Sequence, residues 1–234
     1  MSESFKIRKN GIDQIIYLEK LRSIQRSICK KIEISDLQDK TIKFVSGVDI
    51  AYLNEEAIIG IATFDFQNKR LVDRIIEIEK AKFPYIPGFL AFREGLPIIK
   101  VIKKTGIDSD IYMINAHGIA HPEGCGCASY VGVLIKKPTI GVASRILCGS
   151  CKIKPTKVGE WSPLNHNRKK VGAVLKSKDG CRPIIISVGN MITLEKSISV
   201  VKEFLKNGKL PEPLKAAHEI AVNERRRLVA LNKK

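Results

Sequence analysis

The stretch TIKFVSGVDIAYLNEEAIIGIATFDFQNKRLVDRIIEIEKA, residues 41–81, constrains the fold more than any other part of the chain. It holds three β-rich runs, at about 42–52, 57–66 and 70–80, broken only at Asn54-Glu55 and at Gln67-Asn68. Breaks that short leave no room for a crossover, so the three runs must pair with their neighbours as an antiparallel meander.

The rest of the chain alternates. GIDQIIYLEKLRSIQRSICKKI, residues 11–32, has apolar residues at helical spacing with basic residues between them, and it predicts an amphipathic helix. FPYIPG is a loop stiffened by two prolines, and a helix is predicted to begin around Phe89. A strand at 110–115, a helix near 125–136 and a short strand at 139–144 follow, then strands at about 170–176 and 183–188 and helices near 193–206 and 212–230. A meander followed by alternating β and α predicts an α/β fold with a mixed sheet flanked by helices. A chain of 234 residues buries a full core, and one domain over 1–234 is expected.

Charge gives the first functional indication. Lys and Arg number 41 against 24 Asp and Glu, a net +17, which favours a polyanionic partner and above all nucleic acid. A solubility-driven surface is the alternative reading. No apolar run approaches the roughly 20 residues of a membrane span, and MSESFKIRKNGIDQ lacks a signal-peptide core. A soluble cytoplasmic protein is expected, and a monomer is favoured over an oligomer. The pairs Cys125-Gly-Cys127 and Cys148-Gly-Ser-Cys151 are compatible with free thiols, with disulfides or with a metal, C-x-C being a poor zinc spacing.

Three acids or amides stand where chemistry could be mounted. Asp49 is a lone acid in the apolar run VSGVDIAYL, where a buried charge needs a partner. It shares a strand face with Gly47 and Ala51, small residues that would leave room for a ligand. An ion pair with an arginine is the structural alternative. Glu94, in PYIPGFLAFREG, falls near a helix start, where a solvated glutamate would be ordinary. In DIYMINAHGIAHP an apolar strand turns into a polar loop through Asn115, at a position suited to a metal-gripping carboxylate but holding a neutral amide. Tyr85, on the stiff loop before Glu94, is placed to stack on a base or to staple the helix end.

Taken in order, GVDIAY, PYIPGFLAFRE, HGIAHP, PTIGVA, LCG, SVGN before a helix, and LPEP resemble the endonuclease V family over most of the chain, from about Lys43 to the final helix. The resemblance implies an RNase H-like fold. It also implies recognition of deaminated bases, chiefly inosine, in DNA or RNA, and phosphodiester hydrolysis with Mg2+ or Mn2+, a DNA-repair chemistry. Asp49 and Glu94 correspond to metal carboxylates, and Asn115 to the third catalytic position. Tyr85, Pro87 and Gly88 correspond to the wedge loop, and His117, Gly118 and His121 to the loop approaching the flipped base.

The chain departs from the family pattern on chemistry-bearing positions. Asn115 stands for an aspartate, Ser144 for a lysine, Asn190 for a histidine, Glu123 for an arginine and Tyr130 for a histidine. Asp108 and Asp110 lie at odd strand spacings from Asn115, on the opposite face, and are poor replacements for it. Two readings follow: a nuclease with impaired cleavage, or a non-cleaving nucleic-acid-binding protein on the same scaffold.

Overall fold

The computed structural model describes residues 11–37 and 41–232. Strands β1 (Phe44–Leu53), β2 (Glu56–Asp65) and β3 (Leu71–Lys80) form the expected antiparallel meander. Its turns are closed by Asn54 and Lys69, both at φ 53°, a left-handed conformation that asparagine tolerates better than most residues. β4 (Ile111–Ile114) and β5 (Thr139–Ala143) continue the sheet parallel to β1. β6 (Trp161–His166), β7 (Lys169–Leu175) and β8 (Ile184–Asn190) complete it with antiparallel pairings. The eight strands lie in the order β3-β2-β1-β4-β5-β8-β7-β6.

Helices cover both faces. On one side α1 (Gly11–Cys29), α2 (Leu96–Thr105) and α3 (Cys127–Ile135) bury Ile28, Ile98, Ile102 and Val131 against Val48, Ile61, Tyr112 and Ile114. On the other, α4 (Leu194–Glu203) and α5 (Glu212–Leu231) bury Ile198, Val201, Leu214 and Ala217 against Val45, Met113, Ile140 and Ile186. All four residues of β4 are buried, which is why its sequence is a continuous apolar run rather than an alternating one. The mixed sheet with its flanking helices is RNase H-like, as expected. None of the helices among the described residues is long and apolar enough to cross a membrane.

Two features differ from the sequence expectation. β6 lies outside the sequence expectation, because WSPLNH contains Pro163 and lacks β-branched residues. It forms because it is the edge strand, where a missing backbone donor costs no ladder bond. The small residues beside Asp49 do not leave space for a ligand. A Cβ on Gly47 would lie 2.1 Å from the backbone of Pro213, and one on Gly60 would lie 2.3 Å from the Ala217 carbonyl. The space is filled by α5, whose close approach to β1 and β2 these glycines permit.

Candidate active site

Register brings the first pair together. β1 and β4 are parallel with Val48 opposite Ile114, and the Asn115 N–H extends the ladder to the Val48 carbonyl at 3.1 Å. Asn115 therefore stands beside Asp49 just where β4 ends. Its side-chain Nδ2 donates to Asp49 Oδ1 at 2.9 Å. The other oxygen, Oδ2, lies 2.7 Å from Nδ1 of His218 on α5. His218 was not singled out from sequence. It is an exposed residue next to the buried Ala217, with no distinguishing signal in the sequence, and its contact with Asp49 depends on the glycines that let α5 close in.

Glu94 arrives from the opposite layer. Residues Ala91–Gly95 form a π-helical turn leading into α2, an irregularity that is frequent at functional sites. Gly95 is required there, because a Cβ would lie 2.7 Å from the ring of Tyr130. Tyr130 is thus a buried packing residue on α3, tilted against Phe92 with ring centroids 5.7 Å apart, and not a loop group facing substrate. Tyr52 donates its hydroxyl to Glu94 Oε1 at 3.3 Å, and Arg93 stacks over the Tyr52 ring at 4.1 Å. Burial, and next the negative charge of Asp49, push the Glu94 carboxyl up to about 7.

Beside this turn lies a cavity of about 190 Å³ lined by Tyr85, Ile86, Pro87, Gly88, Leu90, Ala91, His117, His121, Gly126, Cys127 and Leu147. Five of the six loop residues singled out from sequence meet there. Tyr85 is 67 % exposed at its rim. Gly88 has φ +82°, a conformation that favours glycine, and its carbonyl accepts from His121 Nε2 at 3.0 Å and Gln25 Nε2 at 3.1 Å. His121 Nδ1 accepts from the Glu123 N–H, so the ring is the Nε2–H tautomer, and burial holds its pKa below the usual histidine value. His117 donates Nε2–H to the Arg145 carbonyl at 2.9 Å, tying its loop to the segment after β5. Gly118 is placed elsewhere: its N–H bonds Ser187 Oγ, and a Cβ would lie 1.9 Å from the Val188 carbonyl. Gln25, also missed from sequence, anchors the tyrosine loop from α1 and also bonds the Cys125 carbonyl.

The other positions that the sequence reading sets apart separate into those near the site and those away from it. Ser144 is exposed directly after β5, at the same end of the sheet as Asn115. Glu123 is held by Arg26 at 3.2 Å and Arg22 at 3.9 Å, so it fastens α1 to the His121 loop. Asn190 is away from the site. It pairs with Thr139, level with Tyr112 and Ser46, three residues or roughly 10 Å below Asp49 along the strands. There its amide accepts from the Glu33 N–H at 3.0 Å and donates to the Gly132 carbonyl at 3.2 Å. Asp110 is structural, capping the N–H groups of Lys43 and Phe44. The six cysteines are free thiols.

A carboxylate pair, a histidine and a cavity at the open end of a sheet with this strand order define an RNase H-like nuclease scaffold. A sequence profile of the family Endonuclease V matches residues 26–219. The endonuclease V of Thermosipho melanesiensis is 39 % identical over 201 residues, covering 86 % of this chain and 88 % of that protein. The crystal structure of endonuclease V from Streptomyces avermitilis superposes with a TM-score of 0.82 at 25 % identity, covering 90 % of this chain and 94 % of that one. The Ciona intestinalis endonuclease V, solved with a 24mer DNA containing an inosine, superposes with a TM-score of 0.79 at 24 % identity over 91 % of this chain and 99 % of that one. The chain belongs to the endonuclease V family.

The residues present fit poorly to a divalent-metal site built on three carboxylates. Asp49 has both oxygens engaged by nitrogen atoms, and Asn115 turns an N–H rather than an oxygen toward it. Among the described residues no group of three or more His, Cys, Asp or Glu is arranged to hold a metal ion. Asn115 brings no charge to offset a hard cation.

Proposed function

We propose that the protein recognises inosine-containing nucleic acid, DNA or RNA, through the Tyr85–Gly88 cavity, and that its magnesium- or manganese-dependent cleavage is weak. The observation that carries this reading is the Asn115 amide donating to Asp49, two residues before His117, which lines the cavity. In this reading Tyr85 fills the gap left by a flipped base, and the Gly88 backbone, held from behind by His121 and Gln25, approaches that base. Binding rests on shape, backbone and the +17 charge, none of which needs the third carboxylate. Replacing a carboxylate by an amide also lowers repulsion of a phosphodiester.

Cleavage is affected differently. Asp49 and Glu94 supply at most two negative charges to a divalent cation. The DNA-bound Ciona relative and the family membership support nucleic acid as the partner. The test pairs two assays on the same protein: binding of an inosine-containing oligonucleotide against its guanosine counterpart in chelator, and cleavage with magnesium or manganese. Preferential inosine binding with slow cleavage is expected, and Asn115→Asp should tighten manganese binding. Efficient magnesium-dependent cleavage by the unaltered chain would overturn the impaired-cleavage reading. Equal affinity for both oligonucleotides would overturn the recognition reading.

A further inference from the structure

Residues 144–183 hold ten Lys and Arg against two acids, Glu160 and Asp179, an excess close to half of the net +17 of the whole chain. Part of this segment, residues 150–161, reads SCKIKPTKVGEW and leads into the edge strand β6, whose first residue is Trp161. It is fastened at both ends, to β6 at Asn165 and to Lys176 just after β7. Ser150 and Asn165 exchange backbone hydrogen bonds at 2.8 and 3.0 Å, and Gly159 and Glu160 pair with Lys176 at 2.8 and 3.0 Å. Glu160 spends its carboxylate on the N–H groups of Thr156 and Lys157. Lys152, Lys154 and Lys157 are exposed and form no ion pair among the described residues.

Apolar side chains stand between these cations in the open. Ile153 is 78 %, Val158 51 % and Trp161 37 % exposed. Cations alone would suit any polyanion. Exposed apolar and aromatic surface interleaved with them matches a strand whose bases are unpaired and offer their faces. The segment is also continuous with the cavity, because Leu147 lines it and the Arg145 carbonyl holds His117.

We propose that residues 150–161 form a second nucleic-acid contact, a preformed platform that holds a single-stranded segment leading away from the cavity. Its lysines take the phosphates, and Ile153, Val158 and Trp161 take the bases. The proposal rests on the reading that the chain binds nucleic acid, but it concerns strand without inosine.

Trp161 is the sole tryptophan, so its fluorescence reports on the platform directly. The full-length protein is titrated with an oligothymidylate longer than the roughly 4–16 nucleotides a single-strand platform covers, at several salt concentrations. The same titration is made with Lys152→Ser/Lys154→Ser/Lys157→Ser and with a control carrying Lys20→Ser/Lys103→Ser/Lys202→Ser. Quenching of Trp161 is expected in wild type and control. In the platform variant the slope of log affinity against log salt should be shallower by about 2, three phosphate contacts at about 0.7 each. Equal effects in the two triple variants would overturn the platform, as would quenching by anionic phospholipid vesicles but not by oligothymidylate. Wild type that binds an inosine-containing oligonucleotide without any response of Trp161 to oligothymidylate would overturn the platform and leave the cavity reading standing. Absence of binding to either oligonucleotide would overturn both.

Discussion

Asn115 donates its side-chain amide to Asp49 Oδ1 at 2.9 Å, at the point where β4 ends beside β1. An amide can make this contact in a charge-neutral way. A carboxylate at the same place could make it only with a cation between the two groups or a proton shared by them. The relationship explains how the chain keeps Asp49 in place without a third acid.

Asn115→Asp is therefore expected to destabilise the protein in chelator at neutral pH by about 2 kcal/mol, the value of a hydrogen bond to a charged group plus the new repulsion. Manganese should restore most of the loss. Thermal melts of wild type and variant with chelator and with manganese check both halves, and a variant as stable as wild type in chelator would remove Asn115 from the role given to it.

Glu94 gives a pH signature. Its folded carboxyl is raised to about 7 from a usual 4.5, so the folded state holds a proton that the unfolded state releases between those values. Stability from this group is present at low pH and declines as pH rises from about 4.5 through 7. Glu94→Gln removes the decline. In chelator the variant should exceed wild type by up to about 3 kcal/mol at pH 8 and match it near pH 4.5. Denaturant unfolding across that range would show the gap opening, and a gap independent of pH would contradict the assignment.

Tyr85 is exposed at the cavity rim, so its removal should not disturb the fold. Tyr85→Ala is expected to weaken binding of an inosine-containing oligonucleotide by about 1–3 kcal/mol, the scale of base–aromatic stacking. Binding of an unmodified oligonucleotide should change less. Competition titrations compare the two, and equal losses would count against a wedge.

Asn190 predicts a failure of restoration by family resemblance. Asn190→His cannot return a histidine to the Asp49 cluster, because position 190 lies lower on the sheet, bonded to Glu33 and Gly132. Losing these bonds in a buried place should cost about 1–3 kcal/mol with no gain in cleavage. Unfolding curves and a cleavage assay test the pair of outcomes, and a variant that is both stable and more active would place the residue back in the site.

The sheet class and the kinds of residue at the site are legible in the amino-acid sequence. The meander follows from breaks too short for any other connection, and the alternating β and α behind it from apolar periodicity, both local properties. The neutral side chain at 115 and the intact PYIPG loop are likewise chemical facts of the chain. Which residues meet depends on how distant parts of the chain pack. His218 lies 169 residues from Asp49 and reaches it at 2.7 Å because Gly47 and Gly60 admit the backbone of α5. The glycines that look in sequence like room for a ligand are the seat of a helix. Asn190 and Gly118, which motif order places with the chemistry, are drawn away by strand register and by close packing on β8. β6 exists despite Pro163 because it falls at an edge. Register, edge position and helix approach are set by contacts between distant parts of the chain, and no short window of sequence contains them.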